Sequence, residues 1–435
     1  MKLNTKVDTL HTHEGAKASH INSELQLRRS VMSCLLWEDN FYESGESVAD
    51  RIKELIPKVD PIKVVQIARE ARDKMNLRHV PLLIVREMAR HATHKKYVSR
   101  TLQYVIKRPD ELTEFLAIYW KDGKCPLSKK VKQGLARAFN KFSEYELAKY
   151  NHDSKIKLRD VLFLSHSKPK DEQQAELYKK LINNELQTPD TWEVALSSGA
   201  NKKEAFERLI SEKKLGALAT IRNLRNMKEA GISKDFVYEY LSSLNFSKIL
   251  PYRFIAAAKE VPEWEDILEQ PILKTLNSFP KDNKHTILLI DVSGSMDKEL
   301  SNKGKMTRLD AACAIAIIAR EIYQNISILT FSNQIITIPS RHGFALKDSI
   351  FISQSHSGTY LGNAINNINN NLIFDRIIII TDEQSSDDVP KPKCENSYLI
   401  NVANYKNGID YGNMTHIDGF SANVLEYIKN IEQLS

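Results

Sequence analysis

A chain of 435 residues is long enough for two or more separately cored domains. Its 42% hydrophobic and 27% charged residues describe a soluble globular protein. No apolar run approaches the roughly 20 residues of a membrane span, and the opening MKLNTKVDTLHTHEG lacks the apolar core of a signal peptide, so a cytoplasmic location is expected. The net charge of +7 is unevenly spread: residues 1–280 hold 48 Lys and Arg against 38 Asp and Glu, residues 281–435 hold 14 against 17, and residues 61–170 alone hold 25 against 11. A basic region of that density predicts a polyanionic partner, RNA or DNA being the usual one, although solvated lysine-rich helix faces give similar counts. Cys34, Cys125, Cys313 and Cys394 are far apart without CxxC pairing, which argues against a zinc site and a disulfide scaffold.

Residues 1–22 show no periodicity and read as an arm. From Leu25 the pattern is helical for roughly 250 residues. Asp60-Pro61 is an N-cap followed by proline at the first helical position, and Ser128 caps the strongly basic KKVKQGLARAFNKF. About a dozen short amphipathic helices joined by tight turns are too many for one bundle core, so stacked helical hairpins of the HEAT or armadillo kind are expected over residues 23–261. Residues 262–284, with three prolines, read as a connection. Beyond them the elements alternate: strand 286–290, helix 308–324, strands 326–332 and 335–339, a helix near 361–369, strands 376–382 and 397–403, and a last helix at 423–432. Such alternation predicts a doubly wound α/β domain over 285–435, with ligands bound beyond the carboxyl ends of its strands.

The loop after the first of these strands reads Asp291-Val292-Ser293-Gly294-Ser295. Its carboxylate and two hydroxyls are hard oxygen donors suited to Mg²⁺. Two more donors follow in order, Thr359 at a helix start and Asp382 at the end of a buried strand. Asp291 and Asp382 are expected on one edge of the sheet, where a cation lets both stay ionised. The order Asp-x-Ser-x-Ser, Thr, Asp resembles the metal-ion-dependent adhesion site of von Willebrand factor A domains. A degenerate site that keeps the fold without metal is the plain alternative, and water or an internal acid such as Asp297 or Glu383 is a candidate for an open position. DVSGSM is not a G-x-S-x-G elbow, and a two-metal nuclease needs more carboxylates, so no enzyme activity is expected.

On the basic helix, Lys130, Arg137 and Lys141 recur at spacings of seven and four and share one face that can follow phosphates; Lys129 and Lys132 add to its charge. The interleaved Phe139, Phe142, Tyr145 and Tyr150 are as easily core as base platforms. Arg86, Arg90, His94, Lys95 and Lys96 form a second basic run.

Several helical segments carry a more specific signal: LQLRRSVMSCLLWEDNFYESG, AREARDKMNLRHVPLLIVREMAR, LRDVLFLSHSKP, LGALATIRNLRNMKEAGI and PYRFIAAAK. Together they resemble the TROVE domain of the Ro ribonucleoprotein family, which is followed there by a von Willebrand A domain with this metal site. The resemblance spans residues 23–435. It implies a monomeric ring of HEAT-like helical repeats closed by the A domain and the binding of small structured Y-like RNA on the basic outer surface. It also implies single-stranded 3′ ends of misfolded noncoding RNA in a central hole, a role in RNA quality control, and an exoribonuclease such as polynucleotide phosphorylase as a partner. By the same resemblance His166 in LSHSKP and Lys149, seventeen positions earlier, are Y RNA contacts, with Lys168 of the same segment grouped beside them. Asp153 stands where the family has an arginine, and Lys155 is the nearest substitute. Capping its helix is the alternative role for His166. The competing function is an adhesion-type or assembly module in which the A domain captures an acidic protein ligand through Mg²⁺.

Overall fold

The computed structural model describes residues 10–11, 17–20, 22–33, 45–73, 77–151, 153–187, 190–197, 201–246, 249, 252–277, 281–300, 305–402, 409–410, 414–418, 424–425, 428–429 and 432. Cys34 lies outside them, as does part of the expected last helix; Cys125, Cys313 and Cys394 are unpaired thiols. By contacts the chain divides into two compact units, one of Ser23–Leu36 and Glu46–Ala200, the other of Met1–Asn22, Trp37–Gly45 and Asn201–Ser435. Among the described residues no helix is long and apolar enough to cross a membrane.

The first unit is helical: α1 (Ser23–Ser33), α2 (Gly45–Leu55), α3 (Pro61–Asp73), α4 (His79–Arg90), α5 (Lys95–Val105), α6 (Asp110–Tyr119), α7 (Lys129–Phe139), α8 (Glu144–Tyr150), α9 (Leu158–Ser165), α10 (Glu172–Asn183) and α11 (Trp192–Ser197). Local chemistry sets their ends. Asp60 Oδ1 accepts from the Ile62 N–H at 2.8 Å ahead of Pro61, and Ser128 accepts from the Val131 N–H at 3.3 Å, the two caps expected from sequence. Ser143 and Glu146 form a capping box on α8. Apolar faces of α3 to α9 share one continuous core, in which Ile84, Leu102, Phe115, Leu135 and Phe139 are fully buried. Each such side chain contributes about 1.5–3 kcal/mol relative to exposure. Gly134 sits where α7 crosses α5: a Cβ there would meet Leu102 Cβ at 2.9 Å and the Ser99 carbonyl at 3.1 Å. The close crossing therefore requires glycine, at a helix-propensity cost of about 1 kcal/mol.

The second unit holds α12 (Lys202–Ser211), α13 (Ala217–Arg222), α14 (Leu224–Glu229), α15 (Lys234–Ser243), α16 (Tyr252–Glu260) and α17 (Glu265–Asn277), followed by the α/β part. The stretch expected as a connection is thus largely helical, α17 packing on α15 and on α18 and α19 defined below. Two short strands that sequence did not indicate, β1 (Leu10–His11) and β2 (Lys17–His20), lie in the arm and pair antiparallel, β2 also pairing with β8 (Ile409–Asp410). The main sheet contains β3 (Thr286–Asp291), β4 (Ile326–Phe331), β5 (Ile335–Thr337), β6 (Arg376–Thr381), β7 (Asn396–Asn401) and β9 (Thr415–Asp418), in the order β5-β4-β3-β6-β7-β9. All neighbours are parallel except β4 and β5. Every residue of β3 and of β6 is buried, as their uninterrupted apolar runs require of strands covered on both faces. The helices are α18 (Arg308–Ile322), α19 (Gly343–Phe351), which sequence did not indicate, and α20 (Leu361–Asn371). The strand order reverses between β3 and β6, which creates the crevice where open α/β sheets bind ligands. HEAT-like helices followed by a doubly wound domain of the von Willebrand A type is the fold class expected from sequence.

Candidate functional site

Two places gather the chemistry read from the sequence. The first is the face of α5 and α7. Lys130 and Arg137, seven residues apart, line one hollow of about 340 Å³ together with Lys96, Ser99, Arg100 and Gln133. Arg137 and Lys141 line an adjoining hollow of about 490 Å³ with Arg69, Arg100, Tyr104 and Lys107. The two share Arg100 and Arg137, and among the described residues they are lined by seven cationic side chains and no carboxylate. The face expected for Lys130, Arg137 and Lys141 is therefore present, but four of the seven cations, Arg69, Lys96, Arg100 and Lys107, come from α3, α5 and the turn after α5. Arg69, Arg100 and Lys107 were missed because they are scattered among apolar positions of helices read only for their core pattern.

The basic side chains are held rather than free-swinging. Arg137 Nη1 donates to Ser99 Oγ at 3.4 Å, and the Lys141 ammonium donates to the Gln103 and Ile106 carbonyls at the end of α5, where the helix dipole favours a cation. Burial lowers the Lys141 pKa from its ordinary value. Tyr104 is exposed, with the Arg69 guanidinium 4.5 Å from its ring centre, and its hydroxyl donates to Asp73, which also pairs with Lys107. Of the aromatics on or near α7, Phe139 and Phe142 are core, whereas Tyr145 is exposed. The second basic run does not form a surface: Arg86 is buried and ion-paired with Glu87 and Asp122, Arg90 also pairs with Asp122, and His94 is buried. Arg90, Lys95 and Lys96 are the exposed members of that run.

Lys132 points elsewhere. Its Nζ lies 3.4 Å from Nε2 of His166, the residue that ends α9. His166 is exposed and left-handed at φ 53°, with its N–H donating to the Phe163 carbonyl, so it caps its helix while leaving the imidazole at the surface. Lys168 follows, exposed, with its carbonyl accepting from Asn140 at 3.2 Å. Lys149 lies half-buried on α8 with Nζ 5.8 Å from the Tyr150 ring centre. Lys155 and Lys129 are exposed. Asp153 is paired with Lys157 at 2.7 Å, which neutralises the acid standing in the arginine's place.

The second place is the carboxyl edge of the main sheet. Asp291 ends β3 and Asp382 follows β6, on adjacent parallel strands paired from Thr286 with Arg376 through Ile290 with Ile380. Both are fully buried. Asp291 accepts from the Ser293 N–H at 2.8 Å and from Thr381 Oγ1 at 2.6 Å. Ser293 Oγ and Ser295 Oγ lie 3.1 Å apart. The loop carrying Thr359 is fixed beside them by Ser332: its hydroxyl donates to the Gly358 carbonyl at 2.8 Å and accepts from the Ser357 N–H at 3.0 Å. The Gly294 N–H in turn donates to the Ser357 carbonyl at 3.2 Å. Thr359 is buried there. Burial, and then the charge of Asp382, push the Asp291 carboxyl well above the ordinary carboxylate range. Two buried like charges beside three hydroxyls are a donor set suited to a hard divalent cation. The two internal acids are engaged elsewhere: Asp297 contacts His356 Nδ1 at 2.8 Å, and Glu383 pairs with His416 and accepts from Asn401 at 2.6 Å. A cation is nonetheless present at this edge, because Arg308 Nη1 donates to Asp382 Oδ2 at 2.8 Å and to the Ser295 carbonyl at 3.3 Å.

A helical-repeat unit with a basic face and an α/β domain with an Asp-x-Ser-x-Ser loop at its switch point define a class of protein that comparison makes specific. Residues 183–324 match the TROVE domain model. The fold is that of a solved structure, the RO (RSR) protein of Deinococcus radiodurans, at a TM-score of 0.65 and 18% identity, covering 93% of this chain and 98% of that one. Telomerase protein component 1 of Mus musculus and of Rattus norvegicus are each 35% identical over 101 residues, 22% of this chain, and the match spans only 4% of those curated relatives. Residues 183–324 are thus similar to a TROVE domain, and the fold of the chain is like that of the RO (RSR) protein.

Proposed function

We propose that this chain is a non-enzymatic RNA-binding protein, the protein part of a ribonucleoprotein. The observation that carries the reading is the pair of adjoining hollows along α5 and α7, lined among the described residues by seven cations and no carboxylate, with Arg100 and Arg137 common to both. Such a surface gains its affinity from phosphates and releases counterions on binding, which gives strong salt dependence and little base preference. The exposed Tyr104 ring offers an unpaired base a stacking partner.

In the finer reading, small structured Y-like RNA docks on the other basic group, Lys132, His166, Lys168, Lys149 and Lys155. Single-stranded 3′ ends of misfolded noncoding RNA engage the central hole that the family resemblance implies, in cytoplasmic RNA quality control with an exoribonuclease as partner. Mg²⁺ at Asp291, Ser293, Ser295, Thr359 and Asp382 would supply a Lewis-acidic docking point for a partner's carboxylate. That last feature also supports the second reading, a metal-dependent protein-binding module, because the five donors come from three separate segments, joined by the Gly294 N–H to the Ser357 carbonyl and by the Thr381 hydroxyl to Asp291.

The test is ultraviolet crosslinking of the full chain in its own cells, followed by sequencing of the bound RNA. Enrichment of small noncoding RNA, lost on charge reversal at Lys130 and Arg137, is the expected outcome. RNA recovery no greater than that of an acidic control protein would refute the reading.

A further inference from the structure

Arg308 is the first residue of α18, a position where the helix dipole disfavours a cation. Its side chain is nonetheless only 3% exposed. The backbone around it is fixed, since the Thr307 hydroxyl and the Asp310 carboxylate form a reciprocal capping box and the Arg308 N–H donates to the Lys298 carbonyl at 3.0 Å. From there the guanidinium reaches Asp382 Oδ2 and the Ser295 carbonyl, so one side chain joins two of the three segments that bear the donor set. A buried charge of this kind persists only where it is paired, and its nearest partner is one of the two carboxylates of the site.

We infer that Arg308 is the site's internal counter-cation, a residue that neutralises Asp382 when no metal is present and that sets how strongly a divalent cation is held. The inference rests on reading this edge of the sheet as a divalent-cation site. Charge counting carries it. Asp291 and Asp382 ionised give −2, and Arg308 leaves −1. A divalent ion then brings the site to +1 with Arg308 in place and to 0 without it. The guanidinium therefore opposes the incoming ion by direct repulsion and by holding the Asp382 oxygen that the ion would need, directly or through water. It also makes the fold of this domain independent of metal, because the buried carboxylate already has a partner. Removing Arg308 exchanges these properties: the ion is held more strongly, and the fold comes to depend on it. The +1 state left when metal and guanidinium are both present favours an anionic ligand at the ion's open position, so metal and anion binding are expected to reinforce each other.

The experiment is calorimetric titration of the full chain, after chelation, with MgCl₂ alone, comparing the wild type, Arg308→Gln and Arg308→Lys, with thermal melts in chelator and in excess Mg²⁺. Arg308→Gln is expected to bind Mg²⁺ at least about tenfold more tightly, as removal of a neighbouring like charge requires. Its melting temperature is expected to rise on adding Mg²⁺ by more than that of the wild type, and Arg308→Lys to stay near the wild type in both. A glutamine variant that is unfolded in chelator and folded in Mg²⁺ supports the inference equally. Wild-type binding with equal or weaker binding by Arg308→Gln overturns it, as does a glutamine variant that stays unfolded in both conditions while Arg308→Lys folds. If no chain binds Mg²⁺, the reading of the site as a cation site fails, and the inference with it.

Discussion

Lys130 and Lys132 stand two residues apart on α7 and serve different surfaces: Lys130 lines the hollow against α5, while Lys132 meets His166 at the end of α9. A single basic helix thus feeds two separate basic groups, and their contributions can be measured apart.

Charge reversal at Lys130 and Arg137 together is expected to weaken single-stranded RNA binding by about 10- to 100-fold near physiological salt and to reduce the slope of log affinity against log salt by about 1.4, as loss of two phosphate contacts on a single strand requires. Reversal at Lys132 with His166→Ala is expected to spare single strands and to weaken a structured small RNA. Gel shifts across a salt series with both RNA types decide the matter. Equal losses on both RNAs from either pair would show that the two surfaces act as one.

Asp291→Ala should eliminate the heat of Mg²⁺ binding and leave the affinity for single-stranded RNA within about twofold, because the hollows on α5 and α7 draw all their lining residues from the first compact unit. Calorimetry and gel shifts on the same preparation test both halves. A parallel fall in RNA affinity would link the metal edge to RNA retention.

Glu432 governs an acid-sensitive clamp at the other edge of the sheet. Burial alone would raise its pKa, but hydrogen bonds from Arg376 and Lys284 outweigh it and hold the group at about 2 against an ordinary 4.5. Arg376, itself 1% exposed, also donates to Asp282 at 2.8 Å and to Thr286 at 3.0 Å. A lowered folded-state pKa means the stabilisation is full above about 4.5 and is lost as pH falls toward 2. Glu432→Gln is expected to lower the melting temperature at pH 7 and to lose less on acidification to pH 3 than the wild type does. Identical pH profiles in thermal melts would remove Glu432 as the cause.

Gly134→Val should destabilise the first unit by about 1–3 kcal/mol, since side-chain atoms at that crossing must displace Leu102 or the backbone at Ser99. Widening the crossing also moves Lys130 and Arg137 away from Arg100, so RNA affinity is expected to fall even in preparations that remain folded by circular dichroism. Urea titration and a gel shift separate the two effects.

The sheet was the most legible part of the chain because β3 and β6 are buried on both faces and therefore show as apolar runs, ILLI and IIII, the first followed directly by Asp291 and the second by Thr381 and then Asp382. Caps at Asp60 and Ser128 were equally plain, being set by a hydroxyl or carboxylate beside a proline or a basic run. Helix α19 and strand β9 were missed: GFALKDSIF lies between a loop and a serine-rich segment with weak periodicity, and THID is too short to alternate. The hollows were half legible. Lys130, Arg137 and Lys141 reveal themselves by spacing on one helix, whereas Arg69 and Arg100 meet them only through the packing of α3, α5 and α7, which no local pattern encodes. Arg308 did carry a signal, an arginine at the first position of a largely apolar helix, but it counts as one only once the carboxylate across the sheet edge is known.

Helix α18 has buried residues at every position from Arg308 to Ala319, so it has no solvent side on which to roll. Close packing on all faces means that a small translation of this helix would collide with β3, β4, α16, α17 or α19 before it could transmit anything. Were the occupant of the sheet edge to change, rotation about the side-chain bonds of Arg308 would be the cheapest response, since the close-packed helix that carries it resists translation.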